Sequence, residues 1–245
     1  MTLSAFANGS SATTPRQRVA PILYGGCDRL KDFPLMGRAS SRMAWNGDFP
    51  TSLGGTSVAI DGKAAYLWFV NSTQINLQAP DDAANGTVPV VVTTGGGTST
   101  STVTLAQFAP SFSLLNSKYA ATIVATPGSP GNSGAGYDII GPVGAFSYPT
   151  RPVKAGETVQ LYGVGFGPTN PTVPAGQAFS SAAASVTTPL VTIGGVLATV
   201  DFAGIVEAGL FQFNVVVPNA GSGDQILQAT IGGVTTANNV FLTLQ

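Results

Sequence analysis

The chain contains one sequence pattern twice. Residues 56–103 carry the segments Thr-Ser-Val-Ala-Ile-Asp-Gly, Gln-Ile-Asn-Leu-Gln-Ala-Pro and Thr-Thr-Gly-Gly-Gly-Thr-Ser in that order. Residues 190–242 carry Leu-Val-Thr-Ile-Gly-Gly, Gln-Phe-Asn-Val-Val-Val-Pro and Thr-Ile-Gly-Gly-Val-Thr-Thr at the matching positions. Because self-similarity at a long period indicates a copied folding unit, the repeat predicts two similar domains in tandem.

Short segments of alternating apolar and polar residues, separated by Gly or Pro turns, run from Pro50 to the end of the chain. This pattern is typical of an all-β sandwich, and about 100 residues is the size of an immunoglobulin-type domain. We therefore expect an all-β protein with two tandem β-sandwich domains. The expected divisions are a poorly patterned N-terminal arm at 1–48, a first sandwich at 49–109, a connector with short strands and a Gly/Pro loop at 110–152, and a second sandwich at 153–245.

Alternation also predicts the residues that face the cores. Asp61-Gly62 is a favoured hairpin turn, because both residue types accept positive φ. Aligning the copies at this turn pairs Leu67 with Val200 and Phe69 with Phe202, which predicts that all four are buried. The inward row predicted for the second domain is Val159, Leu161, Val191, Ile193, Val200, Phe202, Phe211, Phe213, Val215, Leu227, Ile231, Val240 and Leu242.

Tyr66 and Trp68 are predicted on the outer face of the first sandwich, where the second copy has Thr199 and Asp201. Outward Tyr and Trp side chains can stack on sugar rings or contact peptide side chains, so these two are the candidate ligand-binding residues. The alternative is that the arm, the connector or the neighbouring domain covers them, since large aromatic side chains are more often packed than displayed.

Two side-chain amides recur on what alternation predicts to be the outer face of one strand. Gln74 and Asn76 in the first copy correspond to Gln212 and Asn214 in the second. They could contact a ligand. We expect instead that they bond to neighbouring backbone or loops, as most buried or half-buried side-chain amides do.

The residue types argue against an enzyme. The chain has no histidine, which removes the commonest general base and the commonest zinc ligand. A glycosidase could use two carboxylates alone, but the acidic residues are few and scattered, so this is the weakest hypothesis. Asp81, Asp82 and Asn85 offer too few oxygen ligands for a convincing calcium site. We expect no catalytic residue, no metal and no cofactor.

Charge and hydropathy limit the partners. Ten basic and eleven acidic residues give a net charge of -1, which provides no field to attract nucleic acid. The longest apolar run, residues 64–70, is far shorter than the roughly 20 residues that cross a bilayer, so no membrane insertion is expected. Cys27 is the single cysteine and has no internal disulfide partner.

Residues 155–169, Ala-Gly-Glu-Thr-Val-Gln-Leu-Tyr-Gly-Val-Gly-Phe-Gly-Pro-Thr, followed by Val-Thr-Ile-Gly-Gly-Val at 191–196, resemble an IPT/TIG-type immunoglobulin-like module. Segments 50–58, 74–80 and 209–215 resemble a paralogous family of uncharacterised C-terminal regions of secreted bacterial, acidobacterial-type proteins. This resemblance covers about residues 50–245. It implies export by a signal outside this sequence, a pair of sandwiches and no known activity.

Members of that family usually enter the first domain with a strand that residues 1–45 lack. Either the first sandwich misses an edge strand, or the reading frame is wrong upstream of residues 43–45, Met-Ala-Trp. Deletion of residues 1–44 is expected to leave the β-signal in circular dichroism unchanged.

Two functional hypotheses follow. The first is a non-enzymatic, secreted or cell-surface tandem immunoglobulin-like region that acts as a structural, spacer or adhesion module beside upstream domains of the same polypeptide. The second is a carbohydrate-binding module that uses Tyr66 and Trp68, with Tyr119 or Tyr137 as further candidates. The partners would be a polysaccharide or another surface protein.

Overall fold

A computed structural model describes residues 2–6, 48–70 and 74–245, with the backbone alone for residues 2–6 and 74. These residues form strands, turns and loops without a helix, which confirms the all-β prediction. The part described therefore includes no helix long and apolar enough to cross a membrane. Cys27 lies outside the described residues.

The first domain contains eight strands: β1 (Thr2–Phe6), β2 (Ser52–Leu53), β3 (Thr56–Ile60), β4 (Lys63–Ala64), β5 (Tyr66–Val70), β6 (Gln74–Gln78), β7 (Gly86–Thr94) and β8 (Gly97–Leu105). One sheet has the order β2-β3-β7-β8 with β4 beside β3, and the other has the order β1-β6-β5. The sheets share a buried core of Val58, Ile60, Ala65, Leu67, Ile75, Leu77, Ala79, Val88, Val90 and Leu105.

The second domain contains β9 (Ser111–Phe112), β10 (Thr122–Ala125), β11 (Tyr137–Ile139), β12 (Thr158–Val164), β13 (Thr169–Asn170), β14 (Ala183–Ser185), β15 (Leu190–Ile193), β16 (Val196–Glu207), β17 (Leu210–Val216), β18 (Gly223–Ile231), β19 (Val234–Thr235) and β20 (Phe241–Leu244). The main order is β11-β10-β12-β17-β16-β15-β18-β19. The long β16 pairs with β15 near its start and with β17 further on, so one strand serves both layers of the sandwich.

Residues 110–152, which the sequence analysis treats as a connector, form strands that pair with the second domain. β9 and β10 pair with β12, and β11 pairs with β10. The core of the second domain includes Phe112, Ala120, Val124 and Ile140 from this segment. The loop between β10 and β11 is exposed along residues 127–130, as its Gly and Pro content predicts.

The predicted inward row of the second domain is buried except at Val200 and Phe202, which are half-buried. The register of β16 against β17 shifts between these two residues, so Asp201 is an extra residue in a β-bulge. Because side chains alternate with period two, the bulge changes the inward face, and Ala203 and Ile205 are buried beyond it.

The repeat is visible in the backbone. Asp61 and Gly62 have φ of 51° and 73°, and Gly194 and Gly195 have φ of 58° and 79°, so the predicted hairpin turn occurs in both copies. The bulge recurs as well, because β5 shifts register against β6 between Leu67 and Phe69. Phe69 is consequently half-buried rather than buried, while Leu67 is fully buried.

The glycines of 163–167 allow the chain that leaves the first domain to pack closely on the second. A Cβ at Gly165 would overlap the carbonyl of Ala109, and one at Gly167 would overlap the ring of Phe108. Gly232 meets the other edge of the same ring. Phe108 is thereby held between two glycines, which excludes side chains at both positions.

A strand at Thr2–Phe6 corrects the sequence analysis, which assigned none there. It pairs in parallel with β6, from Thr2 opposite Gln74 to Phe6 opposite Gln78. This edge of β6 therefore has a partner strand. The local sequence carried little signal, because the strand is specified by backbone pairing to a distant segment.

Candidate functional site at the contact between the domains

Tyr66 and Trp68, the two candidate ligand-binding residues, are both half-buried on β5. The ring of Tyr66 packs against Gly176 of the second domain, where an added Cβ would overlap it. The indole of Trp68 lies beside Phe49, with 5.9 Å between ring centroids and an angle of 53° between ring planes. The structure thus places Tyr66 at a contact between the domains and Trp68 against the segment that enters the first domain.

The second domain reaches Tyr66 through residues 173–177, which we call the docking loop. Gln78 Oε1 accepts a hydrogen bond from the Gly176 N–H at 3.0 Å, and Asp81 Oδ2 accepts one from the Ala175 N–H at 3.0 Å. The Phe49 N–H donates to the Gly176 carbonyl at 2.6 Å, and Asp48 forms an antiparallel bridge with Gln177. The backbone of the loop is therefore held on both sides by the first domain.

The docking loop is also held by the core of the second domain, to which it belongs. Val173 belongs to the core of the second domain, and Ala175 is also buried. Gly176 has a φ of +82°, which favours glycine, and its missing side chain leaves room for the Tyr66 ring. The loop presents backbone N–H groups rather than side chains, so Gln78 and Asp81 contact groups that any residue except proline would offer.

Gln78 is buried and Asp81 is half-buried, and each has one buried polar side-chain atom without a partner in the described part of the chain. Gln78 is fully buried, and its Nε2 has no hydrogen-bond partner among the described residues; the same holds for Asp81 Oδ1. Burial raises the pKa of Asp81, although the Ala175 N–H and the charge of Lys63 partly oppose this. The Asp81 carboxylate is therefore bound in an environment that disfavours its charge.

The neighbouring Asp82 behaves in the opposite way. It forms an ion pair with Lys63 at 3.0 Å and accepts a hydrogen bond from the Ala84 N–H at 2.8 Å. Burial alone would raise its pKa, but the N–H groups and Lys63 together lower the pKa of Asp82. The carboxylates of Asp81 and Asp82 thus accept hydrogen bonds from different backbone N–H groups, those of Ala175 and Ala84. No cluster of three or more metal-ligating side chains occurs in the described part of the chain.

Ion pairs also join residues 110–152 to the rest of the second domain. Arg151 donates to Glu157 at 2.8 and 2.9 Å and to Asp138 at 2.6 Å. These hydrogen bonds lower the pKa of Glu157. Lys118 pairs with Asp224 at 2.7 Å. Each of these acidic residues is thus paired with a cation.

The recurring amides differ between the copies. Gln212 Nε2 donates to Asn214 Oδ1 at 2.8 Å on the half-exposed face of β17. Asn76, which corresponds to Asn214, is buried in the first domain. Tyr162, on the strand next to Gln212, donates to Gln160 at 3.1 Å, and burial raises the pKa of Tyr162 to about 12.

Sequence reasoning missed Gln78, Asp81 and Gly176. One signal could have found the first of them. The alignment of the copies places Gln78 opposite Val216, so a polar residue in the first copy replaces an apolar one in the second. Tyr66 pairs directly with Gln78 across β5 and β6. It also differs from its counterpart in the second copy, because an aromatic residue stands where that copy has Thr199. At these two positions the copies differ in chemical type, and both residues lie at the contact between the domains.

The comparison with protein families agrees with this architecture. Residues 47–108 match the family model described as the IPT/TIG domain. The match covers β2 to β8 and the first core, whereas the motifs that suggested the likeness in the sequence lie in the second copy. No curated protein matches the chain in sequence. Residues 47–108 of this chain are therefore similar to an immunoglobulin-like module of the IPT/TIG type.

Proposed function

We propose that the chain is a non-enzymatic structural module, exported as part of a larger secreted or cell-surface protein, in which it acts as a spacer or adhesion element. Domains of the IPT/TIG type commonly serve structural or adhesive roles. The low content of charged residues, 9%, and the Thr-rich exposed strands support the same proposal.

The observation that carries this proposal is the docking loop. A spacer must set the distance and direction between the parts that it joins, which requires domains held in one relative orientation. Gln78, Asp81 and Phe49 hydrogen-bond the loop backbone, and Tyr66 packs on Gly176. Three hydrogen bonds and one packing contact on one short loop restrict rotation about the junction.

Carbohydrate binding is the second candidate, favoured by one observation. Trp68 keeps a half-exposed indole beside the half-exposed ring of Phe49. Paired aromatic rings of this kind can stack on the apolar face of a sugar ring. Tyr66 is less suited to this role because its ring packs on Gly176.

A glycan array separates the two candidates. The full chain is compared with Trp68→Ala, which removes the indole and leaves the docking loop contacts in place. The spacer proposal predicts no glycan signal above that of Trp68→Ala. Retention of one glycan class by the full chain, lost in Trp68→Ala, would contradict the proposal and establish the carbohydrate-binding candidate.

A further inference from the structure

The last strand of the first domain has one edge that no described residue pairs with. β8 runs without a register shift from Gly97 to Leu105, and among the described residues it pairs only with β7. Residues 97–102 are exposed, and the strand contains no charged residue and no proline. Sheet proteins usually protect an edge strand with charges, prolines, bulges or short length, because its unpaired N–H and C=O groups can bind another strand. β8 has none of these protections.

The second copy provides an internal comparison. There the corresponding segment is broken into the short β19 and β20, and backbone groups of residues 118–120 and 153 cover the outer edge of β20. The Ala120 N–H donates to the Phe241 carbonyl at 3.0 Å, and the Val153 N–H donates to the Thr243 carbonyl at 2.9 Å. The same edge is thus covered in one copy and left open, unbroken and longer in the other.

The sequence of β8 is complementary to itself. About Ser101 as centre, an antiparallel pair of two such strands places Thr100 opposite Thr102 and Thr98 opposite Thr104. Thr–Thr pairs across antiparallel strands are favourable, and no charge opposes the approach of two identical edges. Twofold symmetry requires this self-complementarity in a contact between two identical surfaces.

From the open edge, the covered edge of the sister copy and the symmetry of the sequence, we propose that β8 binds β8 of a second copy of this chain. The two strands run antiparallel about Ser101 and join the sheets β2-β3-β7-β8 of both molecules into one continuous sheet. This association concerns the first domain alone and does not depend on the spacer proposal.

Charge substitutions on the outer face of β8 test both the contact and its register. The double variant Thr100→Lys/Thr102→Lys places like charges opposite each other twice across the twofold axis. The double variant Thr100→Lys/Thr102→Glu places opposite charges there instead. The matched control is Thr87→Lys/Thr93→Lys, which adds the same charge to exposed positions of β7, one strand inside the edge.

The molar mass of the full chain and of each variant is measured by analytical ultracentrifugation from micromolar to millimolar concentration, with circular dichroism to establish that each is folded. We expect twice the chain mass for the wild type, the β7 control and the Lys/Glu variant, and the mass of one chain for the Lys/Lys variant. A wild type that remains monomeric, or a Lys/Lys variant that dimerises like the wild type, would overturn the proposal. A Lys/Glu variant that stays monomeric would overturn the register about Ser101.

Discussion

Adjacent carboxylates at positions 81 and 82 show how neighbouring residues acquire opposite roles. Asp81 binds the docking loop across the domain contact, and burial raises its pKa. Asp82 binds Lys63 and the Ala84 N–H within the first domain, and its pKa is lowered. The difference arises from the partners, since the two residues are identical and consecutive.

Asp81→Asn should raise the free energy of unfolding at neutral pH. Asparagine keeps an oxygen for the Ala175 N–H and removes the half-buried charge. A carboxyl whose pKa is raised on folding contributes stability below its unfolded pKa of about 3.9 and loses that contribution as pH rises through the folded pKa. The gain should therefore be absent at low pH and grow as pH increases, when measured by urea unfolding at a series of pH values.

Asp82→Asn is the matched control and should have the opposite sign. A carboxyl whose pKa is lowered on folding contributes stability above its unfolded pKa, and that contribution disappears as pH falls through the folded pKa. The substitution should lower the free energy of unfolding at neutral pH and have little effect in acid. Changes of the same sign in both variants at neutral pH would show that the two environments are not as described.

At the scale of strands, the two copies cover the corresponding sheet edge differently. In the second domain the antiparallel β12 covers β17. In the first domain the parallel β1 occupies the equivalent edge of β6. The parallel strand β1 thus takes the position that the antiparallel strand β12 takes in the second domain.

Removal of residues 1–6 should expose the edge of β6. Amide hydrogen exchange in Gln74–Gln78, measured by mass spectrometry, should become several-fold faster because the parallel partner is lost. The corresponding strand β17 is the internal reference and should be unaffected, since β12 still covers it. Unchanged exchange in β6 would mean that β1 does not protect this edge.

Sequence periodicity predicted the strands well and their faces less well. The row from Val159 to Leu242 is buried apart from Val200 and Phe202, because alternation continues undisturbed in β12, β15 and β17. Alternation failed at Phe69 and Phe202, because a bulge inserts one residue before each and rotates the rest of the strand. A bulge leaves no local signal in a single sequence. Both copies carry the bulge at the same position, so the burial of Phe69 and that of Phe202 were mispredicted in the same way.

At the scale of the molecule, the repeat predicted two sandwiches but not how they join. The aromatic pair was found as a departure from the sister copy, and covering of Tyr66 by the neighbouring domain was one of the alternatives. Gly176 and its loop were not predictable, because backbone N–H groups make the contacts and carry no side-chain signature. Contacts between a side chain and a distant backbone depend on tertiary structure alone.

The account depends on the two domains forming one body through the docking loop. Gly176→Ala should separate them, because the residue has a φ of +82° and its Cβ would overlap the Tyr66 ring. Gly144→Ala is the control, since Gly144 has a φ of +76° with no atom within 4 Å of an added Cβ. The strain in the backbone is similar in both variants, and only the first disturbs the contact.

Amide nitrogen relaxation by NMR, at a concentration where the chain is monomeric, measures the tumbling of each core directly. The account predicts one common tumbling time for both cores in the wild type and in Gly144→Ala, and two shorter, unequal times in Gly176→Ala. Two independent tumbling times in the wild type would contradict it.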